Sequence, residues 1–387
     1  MRREHRAPRP GWEQIVAAQG LCFDEPARYA DGSIRPYWDE SVHYVFDMDE
    51  VLSMEASVEV LHSMCLEAVE QVVLTERFAD FGLPEWCWEP IAKSWRRSDP
   101  HVYGRFDLRY DGKRPPVLLE YNADTPTTLL EAAILQWHWK TALFPEDDQW
   151  NSLHERLVER WQEIRLRLAG EEVHFTWSAA DMTGEDNVTL AYMQECAAEA
   201  GLNTVALAIE QLGYDSDLNR FVDLEEAPIS SLFKLYPWEW VLDDEFGRRA
   251  VDLLPETMWV EPLWKTLLSN KAILAVLWQM YPGHPNLLPT YLDEPNELID
   301  YLRKPKLGRE GSNITIAVPE YQMETGGVYG EEGYVYQLFD PLPRFDDMHP
   351  CLGAWIVGDE SAGLGIRESP GLITDNISAF VPHRIEK

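Results

Sequence analysis

Between Leu153 and Leu168 one set of apolar residues, Leu153, Leu157, Trp161, Ile164 and Leu168, recurs every three or four positions, with mostly charged residues between them. That spacing of three and four predicts an amphipathic helix, and Gly170 stands where a C-terminal cap belongs. The period then changes. VHFTW and TVALAI are short runs of β-branched and aromatic type, separated by the helical stretch NVTLAYMQECAAEAG. Strand, helix and strand in this order predict a parallel sheet. ISSLFKLY, closed by Pro237, adds a further strand, and a helix begins near SNKAILAVLWQM. The last hundred residues read mainly as strands: LRKPK, NITIAV, YVYQLF, GAWIV and AGLGIRE, with GDES as a hairpin turn. Residues up to about 100 read as mostly helical. Between these parts, GRFDLRYDGKRPPVLLEYNA predicts two strands around a turn rich in Asp, Gly and Pro. With no internal repeat and no low-complexity linker, the parts interlock. The pattern is a mixed α/β and α+β chain.

The predicted hairpin carries the first chemistry. Residues i and i+2 of a strand share a face, so Arg105 pairs in direction with Asp107, and Glu120 with Asn122. Counting back from the turn sets Asp107 opposite Glu120 and Arg105 opposite Asn122. Opposed like charges destabilise a sheet, so two facing carboxylates beside an amide oxygen need compensation. An all-oxygen set of this kind suits Mg²⁺, above all when phosphates complete its shell. The alternative is a hairpin end in which Arg105 neutralises one acid. Asp124-Thr125-Pro126-Thr127-Thr128 follows, before an apolar helix near Leu129. Thr127 or Thr128 fits an N-cap, and free N–H groups there would take an anionic substrate group.

Charge sharpens the reading. The chain of 387 residues carries a net charge of −34, which excludes general nucleic-acid binding and favours a cationic partner such as a polyamine. An anionic ligand would need the few bases gathered around it. LRKPKLGREGSN places Lys304 on a strand and brackets a loop between Gly308 and Gly311, and GLGIRES sets Arg367 near a strand end. Lys271 opens a helix with the same potential. The loop matches neither a Walker motif nor a Rossmann fingerprint. Five widely spaced cysteines, with no CxxC pair, argue against a disulfide framework or a zinc site. No apolar run is long enough to span a bilayer and no apolar signal core follows the basic N-terminus, so a cytoplasmic setting without membrane contact is expected.

Taken in order, YGRFDL, LLEYNADTPTTL, FKLYPWEW, EPLWKTLLSNKAIL, RKPKLGREGSNI, YGEEGYVYQ and GIRES resemble the ligase half of the glutathionylspermidine synthase family, most closely its stand-alone type without an amidase domain. The resemblance runs from about residue 12 to the C-terminus. It implies an ATP-grasp fold of glutathione synthetase-like form with a preceding Rossmann-like α/β part. Residues 1–387 would then be one ligase unit: a helical part to about 100, the hairpin and parallel part over 101–270, and a lid with the antiparallel part over 271–387. By position it implies that Asp107, Glu120 and Asn122 hold two Mg²⁺ ions and that Arg105 stabilises the transferring phosphoryl group. Lys271, Lys304 and Arg367 would contact ATP, Arg309, Glu310 and Gly311 would close over its phosphates, and Gln337, Leu338, Phe339 and Asp340 would surround adenine. Thr125 would meet substrate, and Glu185 and Asp186 would face the amine. Leu235 and Ala379 depart from the polar and acidic residues of the family pattern, which leaves the amine open. The implied reaction joins an acid, such as glutathione or a peptide carboxylate, to an amine through an acyl phosphate. Two other readings stay open: a non-catalytic ATP-binding or regulatory protein that retains the fold, and a carbohydrate-processing enzyme using paired carboxylates.

Overall fold

The structure is a computed structural model, and it describes residues 1–22, 26–28, 32, 34–170, 172–181, 184–319, 321–375 and 378–387. The first hundred residues are less helical than their pattern predicts. Strands β1 (Arg2–His5) and β2 (Val42–Phe46) pair antiparallel before the long helix α1 (Met48–Thr75) and the shorter α2 (Trp88–Arg96). Asp47 and Glu50 form a capping box at the start of α1, each side chain accepting the other's backbone N–H at 2.8 and 3.1 Å. Val51, Met54, Val58, Leu61, Cys65, Ala68, Val69 and Val72 repeat at helical spacing and bury one face of α1.

That face packs against the back of the predicted hairpin, β3 (Tyr103–Arg109) and β4 (Val117–Asn122), through Phe106, Leu108 and Tyr121. Helix α3 (Gln136–Leu143) continues a π-helical turn over Glu131–Leu135, and α4 (Leu153–Ile164) follows the predicted stripe. Next come β5 (Glu172–Trp177), α5 (Glu185–Glu199), β6 (Asn203–Ala208), β7 (Ser231–Leu235), α6 (Trp238–Asp243) and β8 (Met258–Val260). The four strands form a parallel sheet in the order β8-β7-β5-β6, as the strand–helix–strand pattern predicts.

Helix α7 (Ala272–Met280) leads into an antiparallel sheet of β9 (Thr290–Leu292), β10 (Tyr301–Pro305), β11 (Thr315–Val318), β12 (Tyr321–Glu324) and β13 (Tyr334–Leu338), in the order β9-β13-β10-β11-β12. The hairpin β14 (His349–Val357) and β15 (Glu360–Ser369) turns at Gly358 and Asp359, and β14 pairs with β3. β16 (Ala379–Phe380) closes the other edge, giving a central antiparallel sheet β16-β15-β14-β3-β4. The last strand, β17 (His383–Ile385), runs parallel beside β2. Start, middle and end of the chain are thus tied together around the hairpin. Five tryptophans, Trp38, Trp139, Trp161, Trp238 and Trp355, are fully buried around these layers, so many of the sixteen serve as core.

Candidate functional site

The register of β3 against β4 is the one that turn counting predicts: Arg105 opposes Asn122 and Asp107 opposes Glu120. A bulge after Asp107 brings Leu108 opposite Leu118 and leaves Leu119 over. The alternation along β3 divides its faces. Phe106 turns to the core, stacked on Tyr121 at 3.9 Å, and Arg105 and Asp107 turn the other way. Arg105 donates from Nε to Asp107 Oδ1 at 2.8 Å and from Nη1 to the carbonyl of Thr127 at 2.7 Å. Arg367, on β15, reaches Asp107 Oδ2 at 3.1 Å across the intervening β14. The strand between them makes room with a glycine. A Cβ on Gly353, the residue opposite Asp107, would lie 2.9 Å from Arg105 Cδ.

Glu120 meets Lys271 at 3.0 Å and accepts from Asn122 Nδ2 at 3.1 Å. Lys271 stands just before α7 and also donates to the carbonyl of Gly308 at 2.5 Å. Lys304 donates to Leu119 O at 3.1 Å and to Gln337 Oε1 at 2.7 Å, and Gln337 Nε2 donates back to Leu118 O. Burial pushes the Glu120 carboxyl up, but Lys271 and Lys304 outweigh it and hold it at about 2. Burial lowers Lys304 to about 8, only partly offset by Glu120. Arg105, Lys271, Lys304 and Arg367 therefore face two carboxylates, Asp107 and Glu120. This local excess of positive charge, in a chain of net charge −34, fits an anionic ligand. No group of three or more His, Cys, Asp or Glu side chains among the described residues is placed to hold a metal alone. Asp107, Glu120 and Asn122 offer oxygen donors only. They fit a hard cation that takes its remaining ligands from phosphate and water.

The other predicted residues take three places. Arg309 donates to Glu239 Oε1 and to Thr125 Oγ1, both at 2.8 Å, which ties the Gly308–Gly311 loop to α6 and to the segment after β4. Glu310 and Gly311 both have left-handed backbone, and Gly311 presses on Ile373 and Thr374, where a Cβ would meet Ile373 at 2.7 Å. Glu185 and Asp186 open α5. Burial, with the neighbouring Asp181 and Glu185, raises Asp186 to about 7, and burial likewise raises Glu185 against its bond to Thr127. The segment 337–340 is divided. Gln337 joins the lysine network, but the N–H groups of Leu338 and Phe339 are spent on the carbonyls of Pro289 and Asp300. Asp340 sits at the turn end of the hairpin with Arg109 and Arg114.

Thr128 differs from the expected cap. Its φ is +68°, an uncommon conformation for a β-branched residue, and its hydroxyl accepts from Arg105 at 3.2 Å. Sequence reasoning also missed three groups. Glu131 is buried and accepts from Tyr37, burial and Glu185 raising it to about 7. Lys234 forms a fully buried pair with Asp124, the acid that follows the second predicted strand, and Glu239 holds Arg309. Each looks like an ordinary charged residue in a line of sequence, because its burial comes from distant elements.

A family model described as "Glutathionylspermidine synthase preATP-grasp" matches residues 3–386. The chain belongs to the glutathionylspermidine synthase family. A Haemophilus influenzae protein named "Putative acid--amine ligase" is 40% identical over 371 residues, covering 92% of each chain. The trypanothione synthetase of Crithidia fasciculata is 30% identical over 355 residues, which are 84% of this chain and 54% of that one. The bifunctional glutathionylspermidine synthetase/amidase of Escherichia coli is 28% identical over 352 residues, 83% of this chain and 56% of the relative. Among solved structures, a glutathione synthetase-like effector from Globodera pallida matches with TM-score 0.56 at 11% identity over 98% of both chains, a likeness of fold alone. The protein is therefore an acid–amine ligase of the glutathionylspermidine synthase type, with the mixed α/β architecture of glutathione synthetase-like proteins. No helix among the described residues is long and apolar enough to cross a membrane.

Proposed function

We propose that this protein is an ATP-grasp ligase that phosphorylates a carboxylic acid with ATP and lets an amine displace phosphate from the acyl phosphate to form an amide. The observation that carries this reading is the cation-rich hairpin, where Asp107 and Glu120 face each other between Arg105, Arg367, Lys271 and Lys304. A carboxylate is a poor electrophile at neutral pH, and phosphorylation gives it a leaving group. The protein contributes position and charge. Asp107, Glu120 and Asn122 would hold Mg²⁺, two ions in this reading, which neutralises phosphate charge when bound. Arg105, already anchored to Asp107 and Thr127, meets the transferring phosphoryl group. Lys271, Lys304 and Arg367 contact phosphates, and the Arg309–Gly311 loop closes over them. The Gln337–Asp340 segment lies by adenine, where carbonyls and side chains rather than the engaged amides of Leu338 and Phe339 are left to recognise the base. Thr125 meets the acid and Glu185 with Asp186 the amine.

The parallel sheet corresponds in this reading to the Rossmann-like part, and residues 271–387 to the lid and C-terminal part of one unit. The relatives' names point to a thiol peptide such as glutathione as the acid and a polyamine as the amine. In this reading the partners are small molecules and the setting is cytoplasmic, where free cysteines stay reduced. ADP release with MgATP, across a matrix of peptide acids and polyamines, tests the reading beside Glu120→Ala. Turnover that needs both an acid and an amine and is lost in the variant is expected. Turnover that needs neither and survives Glu120→Ala would overturn the hairpin site. Binding of MgATP without turnover for any pair would leave a non-catalytic ATP-binding protein.

A further inference from the structure

The site has two faces of opposite sign. Arg105, Lys271, Lys304 and Arg367 stand on the hairpin side, and Glu185, Asp186 and Glu131 on the side of α5. A short series of hydrogen bonds and through-space charge effects joins them. Arg105 is bonded to the carbonyl of Thr127, the Thr127 side chain to Glu185, and Glu185 acts on Glu131. Glu131 is the deepest of these acids, 1% exposed, and no Lys or Arg among the described residues forms an ion pair with it. The Tyr37 hydroxyl donates to its Oε1 at 2.5 Å. Its backbone lies in the π-helical turn Glu131–Leu135, a widened turn of the sort often found at functional sites. A buried carboxyl with no direct ion pair among the described residues is costly to keep ionised, so its place at the boundary of the two faces calls for a chemical reason.

We propose that Glu131 is the catalytic residue that takes the proton from the attacking amine, with Tyr37 holding its carboxyl in position. The proposal rests on the ligase reading above. In the step concerned, the amine nitrogen adds to the acyl carbon and the C–N bond forms. The C–O bond to phosphate breaks and phosphate leaves with the electron pair; an amine bound as ammonium gives up one proton to water to become nucleophilic, and the nitrogen gives up a second as the amide forms. The boundary between the cationic and acidic faces is where an acyl phosphate and an amine can meet with both charges matched. Glu131 is acted on there by Glu185 from α5, Tyr37 from the segment before β2 and Arg105 from β3. Burial and Glu185 lift it to about 7, a suitable affinity for a proton taken near neutral pH. Asp186 is lifted as far, but by burial and Asp181, with Arg309 opposing.

The test uses the full chain with MgATP and the acid–amine pair that turns over in the matrix above, beside hydroxylamine as an uncharged nucleophile that traps the acyl phosphate as a hydroxamate. For Glu131→Gln the expected result is a fall of roughly 100-fold in amine ligation, with hydroxamate formation reduced by no more than a few-fold. The rise of ligation rate with pH through about 7 in the wild type should be lost in this variant. Tyr37→Phe, which keeps the carboxyl, should shift that rise without abolishing it. Equal losses with amine and hydroxylamine would overturn the proposal in favour of a structural role, and so would ligation that survives Glu131→Gln. A wild type that releases no ADP with any acid would remove the ligase reading and this proposal with it, and is distinguished by the missing hydroxamate.

Discussion

A carboxyl buried with no ion-pair partner among the described residues leaves a thermodynamic mark of its own. Glu131 is raised from its usual value to about 7 by burial and by Glu185, so the folded protein holds its proton more tightly than the unfolded chain does. The sign follows from that difference. The folded state binds the extra proton between the unfolded value near 4.5 and the folded value near 7, so stability falls as pH rises across this window and then levels off. Glu131→Gln removes the ionisation. Its melting temperature should match the wild type near pH 4.5, climb above it toward pH 7 and stay above it, by up to roughly 3 kcal/mol in stability. Thermal melts of both proteins from pH 4.5 to 8.5 check this, and a constant offset across that range would contradict it. A stabilising change that impairs ligation is the trade expected where function keeps a strained group. Residues of this kind show why part of the site was hidden from sequence. Asp107 and Glu120 could be read because strand alternation and one short turn decide where they point. Glu131, Glu239 and the Asp124–Lys234 pair depend on packing between segments tens to more than a hundred residues apart.

At the scale of elements, the hairpin was legible because both of its strands and its turn are local. The DGKRPP turn and the alternation of LLEYN leave few registers, and a one-residue slip would turn Leu118 and Tyr121 out of the core. The strand that lies against it was legible only as a strand. GAWIV shows its β-character, but nothing in it says that Gly353 will lie under the Arg105 side chain. That contact makes a prediction. Gly353→Ala would place a methyl group 2.9 Å from Arg105 Cδ in a layer closed on its other side, so the arginine must move. Stability should fall by about 1–3 kcal/mol, the usual cost of overpacking. ADP release should fall at least tenfold, because Arg105 loses its joint hold on Asp107 and Thr127. The two measurements separate the effects, since a variant destabilised but fully active would show that Arg105 placement does not limit the reaction.

At the scale of the whole molecule, the chain closes on itself beside the site. The first hundred residues read as helical because β1 is only RREH, four polar residues with no apolar alternation, and its partner β2 lies almost forty residues further along the chain, with β17 on the far side of β2. Its value as a strand comes from one buried contact. Arg3 donates from Nε and Nη2 to Glu368 at 2.9 and 2.6 Å, and Tyr44 of β2 donates to the same carboxylate at 2.7 Å. Glu368 is fully buried and follows Arg367 on β15, so its side chain anchors the strand that brings Arg367 to Asp107. A buried carboxylate stripped of its partner costs far more than the pair was worth, about 3–5 kcal/mol. Arg3→Ala should therefore lower the melting temperature sharply even though β1 lies at a sheet edge. Adding Glu368→Gln, which removes the stranded charge and keeps the hydrogen bond from Tyr44, should restore much of the loss. If Arg3→Ala melts like the wild type, β1 is a passive edge strand. If the double variant melts no higher than Arg3→Ala, the strand is held by its backbone ladder to β2, and the Arg3–Glu368 pair does not lock the N-terminus to the site.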